Sequence, residues 1–352
     1  MNPFCIVGIA GYSGAGKTTL IEKILPVLKG QGLAVGIIKH IHHDLTVDIK
    51  GKDTDRFYRA GADVVYAHDQ EEGFLRFRAN DGGMVDIPDK FSRGLDLIIV
   101  EGHKDYIRSG IWLQRDRSKN MEVAGKTVIL RNDPQYIRKV LDYILKEIKR
   151  HHDQRVVGAG LLIGGNSERM GRPKALLEMG GKTLAEKAYD TLSKVAVSAI
   201  LLGSGPLPES LAGADRLPDV SHCTGPLAGM VSAFRWEPER AWIISSVDMP
   251  LMQEDALEWL LEQRKPGVWA VLPKIESSSS VVETTGALYE PLIFDYIDSL
   301  SGRGILKLQE IGKHPKVLTP LVPDSLARAW RNVNTPAEWE DVLALSTQSL
   351  SS

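Results

Sequence analysis

The same local grammar is written twice in this chain: an apolar run, a glycine-rich turn, then an amphipathic stretch. The first copy runs through residues 4–10, meets Gly11-Tyr12-Ser13-Gly14-Ala15-Gly16-Lys17-Thr18, and continues as a helical pattern to Leu28. The second runs through residues 156–163, meets Gly164-Gly165, and enters a helix near Leu184. A short apolar run bounded by glycines reads as a strand buried on both faces. Strands alternating with helices build a parallel sheet with helices on both sides. Further strands are expected at 34–39 and 95–100 in the first copy, and at 198–202, 242–246 and 269–272 in the second. The expected class is α/β, in two three-layer units.

The break between them falls at His151-His152-Asp153-Gln154. Before it, Ile137, Val140, Leu141, Ile144 and Ile148 recur at helical spacing. After it the apolar run begins with almost no linker. Charge turns over at the same place: residues 1–154 hold 24 Lys/Arg and 21 Asp/Glu, the remainder 19 and 24. Seven of the nine histidines lie within residues 1–154. Units of 1–153 and 154–352 follow, and 352 residues suffice for two domains.

Composition narrows the partners. With 43 basic and 45 acidic residues, no overall field attracts nucleic acid or membrane. No apolar run approaches the ~20 residues of a membrane span. Cys5 and Cys223 are too few for a disulfide framework or a four-cysteine zinc site. The first residues lack the flanks of a signal peptide, so a cytoplasmic location is expected.

Residues 11–18 fit G-x-x-x-x-G-K-[ST] in full, straight after a strand and opening a helix. Glycines there let backbone N–H groups wrap a β-phosphate, and the helix N-terminus adds positive potential. Lys17 would bridge the β- and γ-phosphates and Thr18 would hold Mg²⁺. Gly11, Ser13, Gly14, Ala15, Gly16 and Thr19 complete the expected nucleotide contacts. The companion acid is read as Glu101, at the carboxyl end of a neighbouring strand where ligands collect, with Asp96 at the strand start as competitor. No N/T-K-x-D element is present to select guanine.

Between these lies Lys39-His40-Ile41-His42-His43-Asp44, then Asp48, then Gly51-Lys52-Asp53-Thr54-Asp55-Arg56. Three histidines with nearby carboxylates suggest zinc. Without paired cysteines, a solvated basic loop, or a switch-like segment facing substrate or Mg²⁺, reads better.

The second turn, Gly164-Gly165-Asn166-Ser167-Glu168-Arg169-Met170-Gly171-Arg172-Pro173-Lys174, is another cradle for a triphosphate. Arg169 and Lys174 can neutralise the β- and γ-phosphates and a leaving pyrophosphate. Asp248, in Ser245-Ser246-Val247-Asp248-Met249-Pro250, is a candidate metal ligand at a strand end, or a turn aspartate. Asp219 could accept hydrogen bonds from guanine N1–H and its 2-amino group, or cap a turn. Asn334, in Asn332-Val333-Asn334-Thr335-Pro336, could cap the last helix or reach the metal.

Residues 11–18, Val35-Gly36-Ile37-Ile38-Lys39-His40, Gly51-Lys52-Asp53-Thr54 and Val100-Glu101-Gly102-His103-Lys104 together resemble the GTP-binding accessory protein of molybdopterin guanine dinucleotide synthesis. The basic loop, Pro-Leu-Ala-Gly-Met at 226–230 and the closing Asn-Val-Asn-Thr-Pro resemble the molybdenum cofactor guanylyltransferase. The resemblance implies a P-loop NTPase-type domain fused to a nucleotidyltransferase, Rossmann-like domain. It places nucleotide contacts on Leu162, Ile163, Gly164, Lys174, Asp219 and Asp248, beside Gly165 of the glycine turn, and a basic loop near the pterin at Gly302-Arg303-Gly304. It implies GMP transfer from GTP to molybdopterin, with Asp248 on Mg²⁺; Lys174 and Arg169 would then stabilise the leaving pyrophosphate and, with Asp248, be catalytic, and Thr18 and Asn334 are the further Mg²⁺ candidates. The accessory unit would hydrolyse GTP weakly at most. A molybdenum-insertion protein and apo-molybdoenzymes are the implied partners, and P-loop domains of this broad kind often dimerise. One departure is Gly171-Arg172-Pro173-Lys174, which lacks the acidic residue common just before the lysine and is closer to cytidylyl-transferring relatives. Cytidylyl or sugar-nucleotide transfer therefore stays as an alternative. So does a nucleotide-gated carrier without turnover.

Overall fold

The computed structural model describes residues 4–39, 50–61, 64–68, 70, 72–77, 94–102, 110–116, 123–164 and 170–348. In the first unit these form β1 (Cys5–Ala10), α1 (Lys17–Gly30), β2 (Val35–Lys39), α2 (Asp53–Arg59), β3 (Val64–His68), β4 (Gly73–Phe77), β5 (Leu97–Glu101), β6 (Gly110–Gln114), β7 (Lys126–Leu130) and α3 (Tyr136–Asp153). The five-stranded sheet has the order β2-β5-β1-β6-β7 and every pairing is parallel. The glycine loop thus leaves the sheet at its middle strand, with β5 on one side and β6 and β7 on the other. The antiparallel pair β3 and β4 stands apart from this sheet.

The apolar spacing explains the packing. Leu20, Ile21, Ile24 and Leu28 of α1, and Val140, Ile144 and Ile148 of α3, cover Val7, Ile9, Leu97, Ile99 and Ile111. All are buried, and each Leu or Ile so placed contributes about 1.5–3 kcal/mol. Phe4, Ile98 and Val100 carry the opposite face with Ile38 and Leu95.

The second unit contains β8 (Val157–Leu162), β9 (Glu178–Met179), β10 (Lys182–Thr183), α4 (Leu184–Val195), β11 (Ala199–Leu202), β12 (Arg216–Leu217), α5 (Pro226–Trp236), β13 (Ala241–Ser246), α6 (Glu254–Glu262), β14 (Ala270–Val271), β15 (Ala287–Tyr289), α7 (Phe294–Gly302), β16 (Val317–Leu318) and α8 (Pro336–Gln348). Seven strands form one sheet in the order β12-β11-β8-β13-β15-β14-β16. β15 runs antiparallel to both β13 and β14, so this sheet is mixed, unlike the all-parallel reading of the sequence. Period-two alternation divides its sides: Trp242 and Ile244 meet α5 and α7 in one core, and Ile243 meets α4 and α6 in the other. Three layers result.

The two sheets meet directly. Asp96, just before β5, accepts hydrogen bonds from Trp269 Nε1 (2.7 Å), Lys316 Nζ (2.7 Å) and Ala34 N (2.7 Å) and is 6% exposed. Lys316 also donates to the Gly32 carbonyl. Glu290, 1% exposed, accepts from Arg155 (2.6 Å) and Arg264 (2.8 Å), with His152 Nε2 at 3.4 Å.

Candidate nucleotide sites

At the first loop the backbone demands glycine. Gly11 has φ 151°, and a Cβ there would lie 2.4 Å from the Leu113 carbonyl oxygen. Gly16 has φ 88° and opens α1. Lys17 follows, its ammonium folded over the loop onto the carbonyls of Gly11 (3.1 Å) and Tyr12 (3.0 Å). Thr18 Oγ1 donates to Glu101 Oε1 at 2.9 Å, and Lys39 Nζ stands 3.8 Å from Glu101 Oε2. Parallel pairing sets Ile9 opposite Glu101, which carries this carboxylate to the loop's own edge. Asp96, its competitor from sequence, is at the other end of β5 in the contact between units. On the β7 side, Arg131 packs against Gly16, its Nη1 2.6 Å from where a Cβ would stand. Arg131 carries no signal in the sequence, because nothing local shows that the residue after β7 reaches across β6.

Asp55 has a structural explanation. It is buried and accepts from Gly51 N (2.9 Å), Arg59 Nε (2.8 Å) and Arg76 Nη1 (3.1 Å), tying the 50–51 turn, α2 and β4 together. The Gly51 N–H, then Arg76 and Arg59, hold its carboxyl down to about 2. His40, His42, His43, Asp44 and Asp48, the zinc-or-switch segment, lie outside the described residues, as do Gly165 and Arg169.

The second site gathers residues that are far apart in sequence. Leu162, Ile163 and Gly164 leave β8, Ser246, Val247 and Asp248 leave β13, and Pro173, Lys174 and Ala175 close a cavity of about 130 Å³ between them. Lys174 Nζ donates to Asn334 Oδ1 at 2.7 Å and stands 3.7 Å from Asp248 Oδ2. Ser246 Oγ donates to Asp248 Oδ1. The Asp248 carbonyl accepts from Val333 N at 2.8 Å, which lays the 332–335 segment beside the end of β13 and brings Asn334 to the lysine.

The last helix takes its cap from the residue after Asn334. Thr335 caps α8: its Oγ1 accepts from Glu338 N (3.3 Å) while Glu338 Oε2 accepts from Thr335 N (3.0 Å). The Asn334 N–H also donates to Glu338 Oε2, at 2.6 Å, while its side-chain amide oxygen accepts from Lys174.

Asp219 lies at the end of β12, with its Oδ1 3.2 Å from where a Cβ on Gly203 would sit and 3.6 Å from one on Gly229. Burial raises its pKa against the opposing pull of Arg216. Glu283 is electrostatically coupled to this site: burial, then the charge of Asp248, raises its pKa. Its position gives no sequence signal, because it belongs to no motif. Arg303 turns its Nε back to the Ser299 carbonyl of α7 at 3.2 Å.

Among the described residues no three His, Cys, Asp or Glu side chains form a metal-binding group. Asp248 with Asn334, and Thr18 with Glu101, each offer two hard oxygens. That donor set fits Mg²⁺, which keeps waters and phosphate oxygens around one or two protein ligands.

A P-loop at the middle strand of one sheet and a glycine-basic cradle at the strand ends of another define a protein with two nucleotide-handling units. Residues 159–334 match the model of the MobA-like NTP transferase domain, and the chain belongs to that family. Residues 6–132 match the model of molybdopterin guanine dinucleotide synthesis protein B and form a domain of that kind. The chain is 40% identical over 105 residues to the molybdopterin-guanine dinucleotide biosynthesis adapter protein of Haemophilus influenzae, covering 29% of this chain and 59% of that one. It is 43% identical over 79 residues to the molybdenum cofactor guanylyltransferase of Rhizobium meliloti, 22% of this chain and 36% of that one. A solved structure of molybdopterin-guanine dinucleotide biosynthesis protein A from Archaeoglobus fulgidus is 22% identical with TM-score 0.47, covering 54% of this chain and 99% of that one. The chain spans 59% and 66% of the length of two curated adapter proteins that it matches.

Proposed function

We propose that residues 154–352 transfer GMP from GTP to molybdopterin, giving molybdopterin guanine dinucleotide and pyrophosphate, and that residues 1–153 are a GTP-binding helper unit. The observation that carries this reading is the convergence of Lys174, Asp248 and Asn334 on the cavity at the ends of β8 and β13. A terminal phosphate oxygen of molybdopterin attacks the α-phosphorus of GTP. The bond from that phosphorus to the bridging oxygen breaks, and its electron pair leaves with pyrophosphate. No protein nucleophile is needed, because the attacking phosphate monoester is already anionic.

Catalysis is then positioning plus electrostatics. Lys174 exchanges Asn334 and Asp248 for phosphate oxygens and, with Arg169, holds the leaving pyrophosphate. Asp248 and Asn334 would hold Mg²⁺, which supplies charge neutralisation at the α-phosphate. Leu162, Ile163, Gly164 and Gly165 line the nucleotide, and the Asp219 carboxylate accepts from the guanine edge. In the helper unit Gly11, Ser13, Gly14, Ala15, Gly16, Lys17, Thr18 and Thr19 cradle phosphates, with Glu101 and Thr18 toward a second Mg²⁺. A cytoplasmic place in molybdenum cofactor assembly follows, with a molybdenum-insertion protein and apo-molybdoenzymes as partners and a homodimer as the assembly. No described helix is long and apolar enough to cross a membrane.

The test is a panel. The protein with molybdopterin is offered GTP, CTP, ATP and UTP in turn, and pyrophosphate release is followed. Release with GTP alone is expected; release with CTP instead would make it a cytidylyltransferase, and tight binding without release would make it a carrier.

A further inference from the structure

The contact between the units involves one edge of each sheet. In the first unit, Gly32 and Ala34 precede β2, Asp96 precedes β5, and His152 ends α3, which runs back along the parallel strands. In the second, Arg155 precedes β8, Trp269 precedes β14, Lys316 precedes β16, and Glu290 follows the antiparallel β15. Each of these is an amino-terminal edge of the parallel strands. The nucleotide residues all lie at the opposite, carboxyl-terminal edges: the 11–18 loop after β1, Glu101 at the end of β5, Gly164 after β8, Asp219 after β12 and Asp248 after β13.

We propose that the two units are joined tail to tail, so that the two sites of one chain open at opposite ends of the molecule. Handover of nucleotide or pterin between them inside one chain is closed off. A ligand released at one site reaches the other site only through solvent or another protein. This rests on the reading of both loops as nucleotide sites.

Two buried carboxylates hold the arrangement. Turning one unit about the contact would strip Asp96 of Trp269 and Lys316, leaving it only the Ala34 N–H, and would part Glu290 from His152. A third element acts with them: only Gln154, Arg155 and Val156 lie between α3 and β8, too short a link for a wide swing.

The arrangement is tested by a distance between the two outer edges in the full chain. Asn132→Cys and Arg172→Cys place spin labels on exposed residues at the carboxyl edges of the two sheets. Native Cys5 and Cys223 are buried and stay in place. Strands of six residues at ~3.3 Å per residue are each about 20 Å long, so the edges of two end-to-end sheets stand on the order of 40 Å apart. Pulsed electron spin resonance is expected to give a main distance beyond ~30 Å, and a main distance below ~30 Å overturns the proposal. A second pair, Tyr12→Cys with Ser204→Cys, repeats the measurement should a label disturb its loop. No nucleotide is in the sample. A short distance therefore refutes the arrangement whatever the loops bind, while failure of the nucleotide reading shows itself only in binding and turnover.

Discussion

In the proposed reaction Lys174 carries the charge that meets the leaving pyrophosphate, and its removal takes the ammonium away from Asn334 Oδ1 and Asp248 Oδ2. Lys174→Ala is expected to lower turnover by roughly 10²–10³-fold, the size of loss that follows removal of one donor to a developing charge, with pyrophosphate release as the readout. An unchanged rate would take the lysine out of the mechanism. Asp219 makes the next prediction. In the proposed function its ionised form accepts from guanine, and burial raises its pKa above the ordinary carboxylate value. The acid limb of kcat/KM for GTP should therefore lie above that value, activity rising with pH as Asp219 ionises; Asp219→Asn should remove this limb. A third prediction concerns Arg131, whose guanidinium packs against Gly16. Arg131→Ala should weaken GTP binding to the first unit by roughly tenfold, the ~1.4 kcal/mol of a single charged contact, as read by calorimetry.

Elements are set by local chemistry that tertiary contacts then exploit. α4 begins with a capping box: Thr183 Oγ1 accepts from Glu186 N (3.2 Å) and Glu186 Oε2 accepts from Thr183 N (2.7 Å). Thr183→Ala should cost about 1 kcal/mol in urea denaturation. The α2 and β3–β4 assembly depends instead on Asp55. Its folded pKa, about 2, lies below the ordinary value, so its contribution is complete above that ordinary value and is lost as pH falls toward 2. Amide hydrogen exchange in β3 and β4 should accelerate over that window, and Asp55→Asn should accelerate it at neutral pH. Such hubs are hard to read in advance. Asp55 stands in a polar stretch that suits a solvated helix, and Arg76 reaches it across 21 positions of chain.

The whole molecule is governed by what happens at the amino edges of its sheets. Glu290 is held ionised there: burial alone would raise its pKa, but His152, Arg264 and Arg155 together hold it well below the usual carboxylate range. Glu290→Ala would leave two guanidinium groups in a buried contact without their acid. A loss of about 3–5 kcal/mol is expected in denaturation of the full chain. Loss within 0.5 kcal/mol would mean that the contact bears little of the stability.

Both glycine turns, their strands and the helices after them were legible because each is local: period, turn residue and cap lie within about twenty positions. The P-loop spacing, and a helix giving way to a strand just after Gln154, are of this kind. The antiparallel β15 was not legible, since three residues of Ala-Leu-Tyr carry no signal of direction. Nor was the company of Lys174, because Asn334 lies 160 positions away and arrives only when Val333 bonds to the Asp248 carbonyl. The residue types at each loop, and hence the class of ligand expected there, follow from the sequence alone. Which acid answers which base, and which way the two sites face, was decided by tertiary structure, because buried charges such as Asp96 and Glu290 can be satisfied only by donors the rest of the chain brings to them.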